Sequence, residues 1–202
     1  MILLNPGPVT LSGRVRKALS GPDLCHREEE FSTLQKSIRT KLLKVYDLTS
    51  EDWAPVLLTG SGTSAVEAML TSCIPTDGAA LVIENGVYGE RMSEMLESYG
   101  IDYDRQTNEW GASINMESLK AKLSKRKYSH VVVVHHETTT GRLNELPEIS
   151  KICAKHGAKL LVDGVSSFGA EKIPFENGMI AACAATANKC IHGVPGTSFV
   201  LL

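Results

Sequence analysis

The sequence predicts an α/β domain in three layers, with helices on both faces of a mostly parallel, seven-stranded sheet. Three observations lead there. Short β-branched runs alternate with helical patterns up to the last residue. The runs are near-continuous in apolar residues, as in strands covered on both faces. The strand–helix–strand order itself implies βαβ units with right-handed crossovers.

The elements follow in order. Residues 1–20 read as an N-terminal arm: Asn5-Pro6-Gly7-Pro8 is extended, because a residue before proline is pushed out of the α region. The arm either lies across another surface, such as a partner subunit's, or frays as a terminus. A helix over 27–46 precedes the first strand at 56–59. Further strands fall at 80–84, 102–105, 130–135, 159–163, 181–185 and 198–202, with helices over 64–72, 89–99, 116–124 and 148–156. Three of these helices stop near residues 75–78, Gly100 and Gly157. Residues 21–202 form one domain, without internal repeats or low-complexity segments.

Composition narrows the function classes. The chain has 202 residues, 43% of them hydrophobic and 22% charged, which suits a globular domain with a real core. Lys plus Arg number 21 against 23 acids, so nothing here serves a nucleic-acid binder that relies on a broad basic face. No stretch approaches about 18 uninterrupted apolar residues, so no membrane span is expected. The start, Met1 to Pro8, lacks the basic region of a signal peptide. Five scattered cysteines (Cys25, Cys73, Cys153, Cys183, Cys190) form no C-x-x-C pair, which argues for a reducing cytoplasm and against a disulfide framework or zinc ribbon.

Ligands of α/β sheets bind outside the carboxyl ends of the strands, and the loops there carry the candidate chemistry. After the first strand, Gly60-Ser61-Gly62-Thr63-Ser64-Ala65 opens straight into a helix. Glycines admit a close ligand, and free N–H groups at the helix start favour an anion. The alternative is that the hydroxyls only cap the helix. The loop also matches G-x-G-x-x-A, and Glu84 ends the next strand where a dinucleotide ribose contact belongs. Tyr88, between Gly86 and Gly89, either lies over a flat ring or packs against the next helix.

After the fourth strand comes His135-His136-Glu137-Thr138-Thr139-Thr140-Gly141. Its adjacent ligand types cannot converge on one ion from an extended segment, so no metal is expected; the threonines offer hydroxyls. Asp163 is the first charge after the run Leu160-Leu161-Val162, either held by a cationic partner or capping the following loop. Lys189 is the one lysine in these strand-end loops; an amine near low-dielectric surroundings becomes a nucleophile, whereas a solvated one does nothing. An anion cradle, a ring-stacking aromatic, a carboxylate and an amine at one sheet edge are the four things pyridoxal phosphate needs.

These strings, with Asn5-Pro6-Gly7-Pro8-Val9-Thr10, Asn85-Gly86-Val87-Tyr88-Gly89-Glu90-Arg91-Met92, Asp163-Gly164-Val165-Ser166-Ser167-Phe168-Gly169 and Ala187-Asn188-Lys189-Cys190-Ile191-His192-Gly193, resemble the fold-type I, class V aminotransferases. Within that class the chain is most similar to the 2-aminoethylphosphonate–pyruvate branch. The resemblance implies pyridoxal 5′-phosphate bound covalently by Lys189, with Asp163 facing the pyridine nitrogen. It implies Ser61, Gly62 and Thr63 as the phosphate loop and Tyr88 over one ring face. Val165 then packs on the other face, Thr139 places a hydroxyl near the ring's polar edge, and Asn188 is a further pocket contact. It also implies a homodimer, and 2-aminoethylphosphonate and pyruvate as small-molecule substrates.

A smaller C-terminal domain, with the arginine for the substrate carboxylate, is expected beyond Leu202. The chain would then hold only the arm and large domain, and would be a weak or inactive transaminase alone. Other class V reactions, such as alanine–glyoxylate transamination or a phosphonate-directed lyase, share these residues. A dinucleotide-dependent oxidoreductase leaves Asp163 and Lys189 unexplained.

Overall fold

A computed structural model describes residues 2–202. The main sheet has seven strands in the order β1 (Pro55–Thr59), β9 (Thr197–Leu201), β8 (Ile180–Thr186), β7 (Lys159–Asp163), β4 (His130–Val134), β2 (Ala80–Glu84) and β3 (Tyr103–Thr107). Strands β8, β7, β4, β2 and β3 run parallel. Strand β9 is antiparallel to both of its neighbours, β1 and β8, so β1 shares the common direction. The carboxyl ends of β1, β2, β4, β7 and β8 therefore meet at one edge.

Period-two alternation along the strands makes the layers. Leu81, Ile83, Val131, Val133, Leu160 and Val162 point to one face, where α2 (Glu29–Lys44), α5 (Met116–Lys125) and α6 (Leu146–His156) bury Leu43, Leu119, Leu146 and Ile149. Ala80, Val82, Val132, Val134 and Leu161 point to the other, against α3 (Gly62–Cys73) and α4 (Val87–Ser98) through Val66, Met69, Met92 and Leu96. Edge-to-face contacts of Tyr46 and Trp53 on Phe175 carry the first core to the sheet's end. The result is the three-layer α/β sandwich that the sequence predicts.

The differences are local. Helices α3, α4 and α6 each begin two residues before the sequence-based boundary. The first turns of α3 and α6 contain Gly62 and Pro147, which are tolerated there because the first N–H groups of a helix have no intrahelical partner, and α4 starts directly after its N-cap Gly86. Part of the expected arm is a short helix, α1 (Gly13–Leu19), started by Ser12, whose hydroxyl accepts from the Val15 N–H at 3.3 Å. The threonine loop after β4 is a small hairpin, β5 (His136–Glu137) with β6 (Arg142–Leu143). Strands of two residues carry no periodic signal. Among the described residues, no helix is long and apolar enough to cross a membrane.

Candidate active site

Gly62, Thr63, Tyr88, Asp163, Val165 and Lys189 line adjoining parts of one cleft at the carboxyl edge of the sheet. Ser61 sits at its rim as the N-cap of α3, its hydroxyl accepting from the Ser64 N–H at 3.4 Å. A Cβ on Gly62 would lie 3.0 Å from both methyl carbons of Val165, so the glycine lets the start of α3 close onto the Asp163 loop.

Asp163, at the end of β7, is 6% exposed. One carboxylate oxygen, Oδ1, accepts from the Val165 N–H at 2.9 Å. Among the described residues no hydrogen bond engages Oδ2. Burial pushes the carboxyl up to about 6, and the Glu137 carboxylate adds to the rise; the Val165 N–H, Arg91 and Lys189 act against it.

Lys189 lies half-buried in the loop between β8 and β9. Its Nζ donates to the carbonyl oxygen of Gly7 at 3.4 Å, so the arm crosses the site of its own chain. Asn188 is turned to the protein: its Oδ1 accepts from the buried Thr186 hydroxyl at 2.8 Å. Thr139 is exposed at the tip of the β5–β6 hairpin, and Thr138 lines the cleft in its place. The turn explains this, because the N–H groups of Thr140 and Gly141 both fold back onto the Glu137 carbonyl (3.2 and 2.8 Å).

His136 joins the cleft beside Lys189. The Ser166 hydroxyl donates its single proton to the His136 carbonyl at 2.7 Å, so at 3.1 Å it accepts from Nδ1 of the same residue. That assigns the Nδ1 proton and leaves Nε2 for a ligand. Its neighbour His135 is buried against the Ser167 hydroxyl (2.9 Å), and burial pushes it down to about 4, which keeps it neutral.

Sequence reasoning missed Glu137 and Arg91. The Glu137 carboxylate is buried and accepts from the backbone N–H groups of Tyr88 (3.1 Å) and Gly89 (3.2 Å) at the start of α4. Burial raises its carboxyl above the usual range. The Arg91 guanidinium sits over the Tyr88 ring, 5.0 Å from its centroid. The i, i+3 spacing of Tyr88 and Arg91 on a helix was the available signal for that contact.

Glu84 is occupied elsewhere. Oε1 accepts from the Ser93 hydroxyl at 2.5 Å with Arg105 Nε at 3.7 Å, and Oε2 accepts from Thr107 at 2.9 Å. This buried carboxylate ties α4 to β3, which removes the ribose contact a dinucleotide needs. Among the described residues no group of three metal-ligand side chains is placed to hold an ion.

The geometry has close relatives. The family model for class-V aminotransferases matches residues 16–202. A 2-aminoethylphosphonate–pyruvate transaminase of Bacillus cereus is 38% identical over 201 residues, 99% of this chain and 58% of that protein. Among solved structures, alanine–glyoxylate aminotransferase from Nostoc sp. superposes with a TM-score of 0.91 at 27% identity, covering 98% of this chain and 52% of that one. Pyridoxamine–pyruvate aminotransferase from Mesorhizobium loti gives 0.90 at 28% identity, with 99% and 50% covered. The chain spans about half the length of these relatives. The family model's match over residues 16–202 shows that this chain belongs to the class-V aminotransferase family.

Proposed function

We propose that the chain binds pyridoxal 5′-phosphate and serves a transaminase that moves the amino group of 2-aminoethylphosphonate to pyruvate, giving phosphonoacetaldehyde and alanine. Residues 21–202 are the cofactor-binding domain in this reading, and 1–20 the arm. One observation carries it: a buried carboxylate with an unpartnered oxygen, Asp163, shares a cleft with the amine of Lys189. The donor and acceptor are carried over from the Bacillus cereus relative at 38% identity.

The residues present fit the cofactor. A carboxyl held near 6 by burial gains from a cationic partner, and Asp163 would be the residue to hold a protonated ring nitrogen. The start of α3 offers N–H groups and the hydroxyls of Ser61 and Thr63 to a phosphate. Tyr88 and Val165 supply two apolar walls. Asn188 and Thr139 are peripheral contacts in this reading.

Bound there, the cofactor supplies an electron sink for the carbon that bears the donor's nitrogen. Asp163, ionised, would keep the ring nitrogen protonated. Lys189 Nζ would hold the cofactor covalently, and its amine is the group in the cleft placed to move a proton as a general base. The carbonyl of Gly7 orients Nζ.

A homodimer in the cytoplasm completes the proposal. Leu34, Ile38 and Val45 form an exposed apolar row on and just past α2 (44, 37 and 42% exposed), a surface a second copy can cover. All five cysteines are unpaired, as a reducing compartment allows.

Borohydride reduction of the cofactor-treated chain, followed by peptide mapping, tests the core of the proposal. Label on Lys189 supports it; label on another lysine, or a colourless protein, overturns it. The likeness to the Nostoc enzyme favours a second reading, alanine–glyoxylate transamination. A donor panel of 2-aminoethylphosphonate and alanine against pyruvate and glyoxylate separates the two.

A further inference from the structure

We infer that Glu137 is a positioning residue for this site: its buried carboxylate caps α4 from outside the helix and so seats Tyr88 at the cleft. The inference rests on the reading that Tyr88 and Asp163 hold the cofactor ring.

Helix α4 needs an outside cap. Its N-cap residue is Gly86, which has no side chain to satisfy the first N–H groups. Glu137 supplies both acceptors, Oε1 to Tyr88 and Oε2 to Gly89. The anionic carboxylate also sits at the positive end of the helix dipole. The residue that meets the cap is therefore the aromatic that lines the cleft.

Gly86 and Glu137 form one device. The backbone of Gly86 is extended, φ 175°, so any residue could adopt it. What it lacks room for is a Cβ, because the Glu137 side chain occupies that space, with Oε2 2.8 Å from the ideal Cβ position and Cγ and Cδ nearer still. The strand that delivers Glu137 is held in turn, with Glu137 opposite Arg142 in the β5–β6 pair.

A capping role alone predicts a loss of order at α4. A positioning role for the site predicts more, because the same carboxylate lies close enough to raise Asp163. The charged groups around the two carboxylates are Glu90 from α4 beside Glu137, and Arg91 from α4 and Lys189 from the β8–β9 loop beside Asp163. Removing the Glu137 charge while keeping its shape lowers Asp163.

The test uses Glu137→Gln, Glu137→Ala, Gly86→Ala and the double variant Gly86→Ala/Glu137→Ala. Pyridoxal phosphate affinity, the pH midpoint of the bound cofactor's absorbance, and amide exchange of Tyr88 and Gly89 without cofactor are read. Glu137→Gln is expected to weaken cofactor binding about tenfold, the loss of one charge-assisted bond. It is also expected to move the midpoint to lower pH and speed exchange at both amides. The double variant is expected to bind no worse than Glu137→Ala, since the space Gly86→Ala needs has been vacated. Parent-like affinity, midpoint and amide protection in Glu137→Gln overturn the inference, as do strictly additive losses in the double variant. If the parent takes up no cofactor, the proposed function fails by itself, and the amide exchange still decides whether Glu137 caps Tyr88.

Discussion

The carbonyl oxygen of Gly7 accepts from Nζ of Lys189 at 3.4 Å, although the two residues stand at opposite ends of the chain. Gly7 has φ +146°, a region that side chains with a Cβ rarely adopt. A Cβ there would lie 2.6 Å from Lys189 Cδ and 3.0 Å from the Asn188 carbonyl. The arm thus comes this close to the site only with glycine at position 7.

Gly7→Ala is accordingly expected to lift the arm off Lys189, at a cost of about 1–3 kcal/mol for a strained backbone. Stopped-flow absorbance after mixing with pyridoxal phosphate should show altered uptake at Lys189, with the sheet's circular dichroism unchanged. Parent kinetics would show that the arm does not touch the reactive lysine in solution.

Asp163 makes the cofactor-free chain sensitive to pH. Its folded value of about 6 stands above the ordinary 3.8. The proton is therefore held more tightly in the folded chain, and the stability it contributes is complete below about pH 3.8 and lost as pH rises through about 6. The span corresponds to roughly 3 kcal/mol. Asp163→Asn is expected to be more stable than the parent at pH 7 by up to that amount, and to match it near pH 3.5. It should bind cofactor more weakly, because a neutral amide does not hold a pyridinium proton. Urea titrations at the two pH values check the first half, and absorbance titration the second.

Glu84→Ala should destabilise the fold by about 2–4 kcal/mol, because Ser93 and Thr107 lose a shared charged acceptor inside the protein. Calorimetry of the parent with a nicotinamide dinucleotide should register no binding at this position. A measurable affinity that Glu84→Ala abolishes would return the dinucleotide reading to consideration.

A buried amide pair links the end of β2 to the segment before α6. Asn85 Nδ2 donates to Asn144 Oδ1 at 2.8 Å, and Asn144 Nδ2 returns a bond to Asn85 Oδ1 at 3.2 Å. A double-mutant cycle with Asn85→Ala and Asn144→Ala is expected to show coupling of about 1–3 kcal/mol, since each single change strands its partner. Additivity within about 0.5 kcal/mol would mean that the pair does not couple β2 to the segment before α6.

The strands and most helices were legible in the sequence because their signals are local. Residues 131–134 and 160–162 are apolar runs that suit strands covered on both faces, and the helix patterns end at residues that stop helices. Asp163 and Lys189 stood out for the same reason, as charges at the edge of apolar stretches. The exposure of Thr139 could not be read from the sequence, because a two-residue hairpin decides which hydroxyl faces the cleft and leaves no periodic trace.

The sequence by itself determined the α/β class, the positions of its elements and the two charged groups at one sheet edge, all of which follow from short-range patterns of burial. Only the tertiary structure decided that β9 enters between β1 and β8, that Gly7 meets Lys189, and that Glu137 caps a helix begun some fifty residues earlier. Those are pairings across long stretches of chain. They are selected by which backbone groups and carboxylates remain to be satisfied once the core has closed, and periodicity along the chain carries no record of that choice.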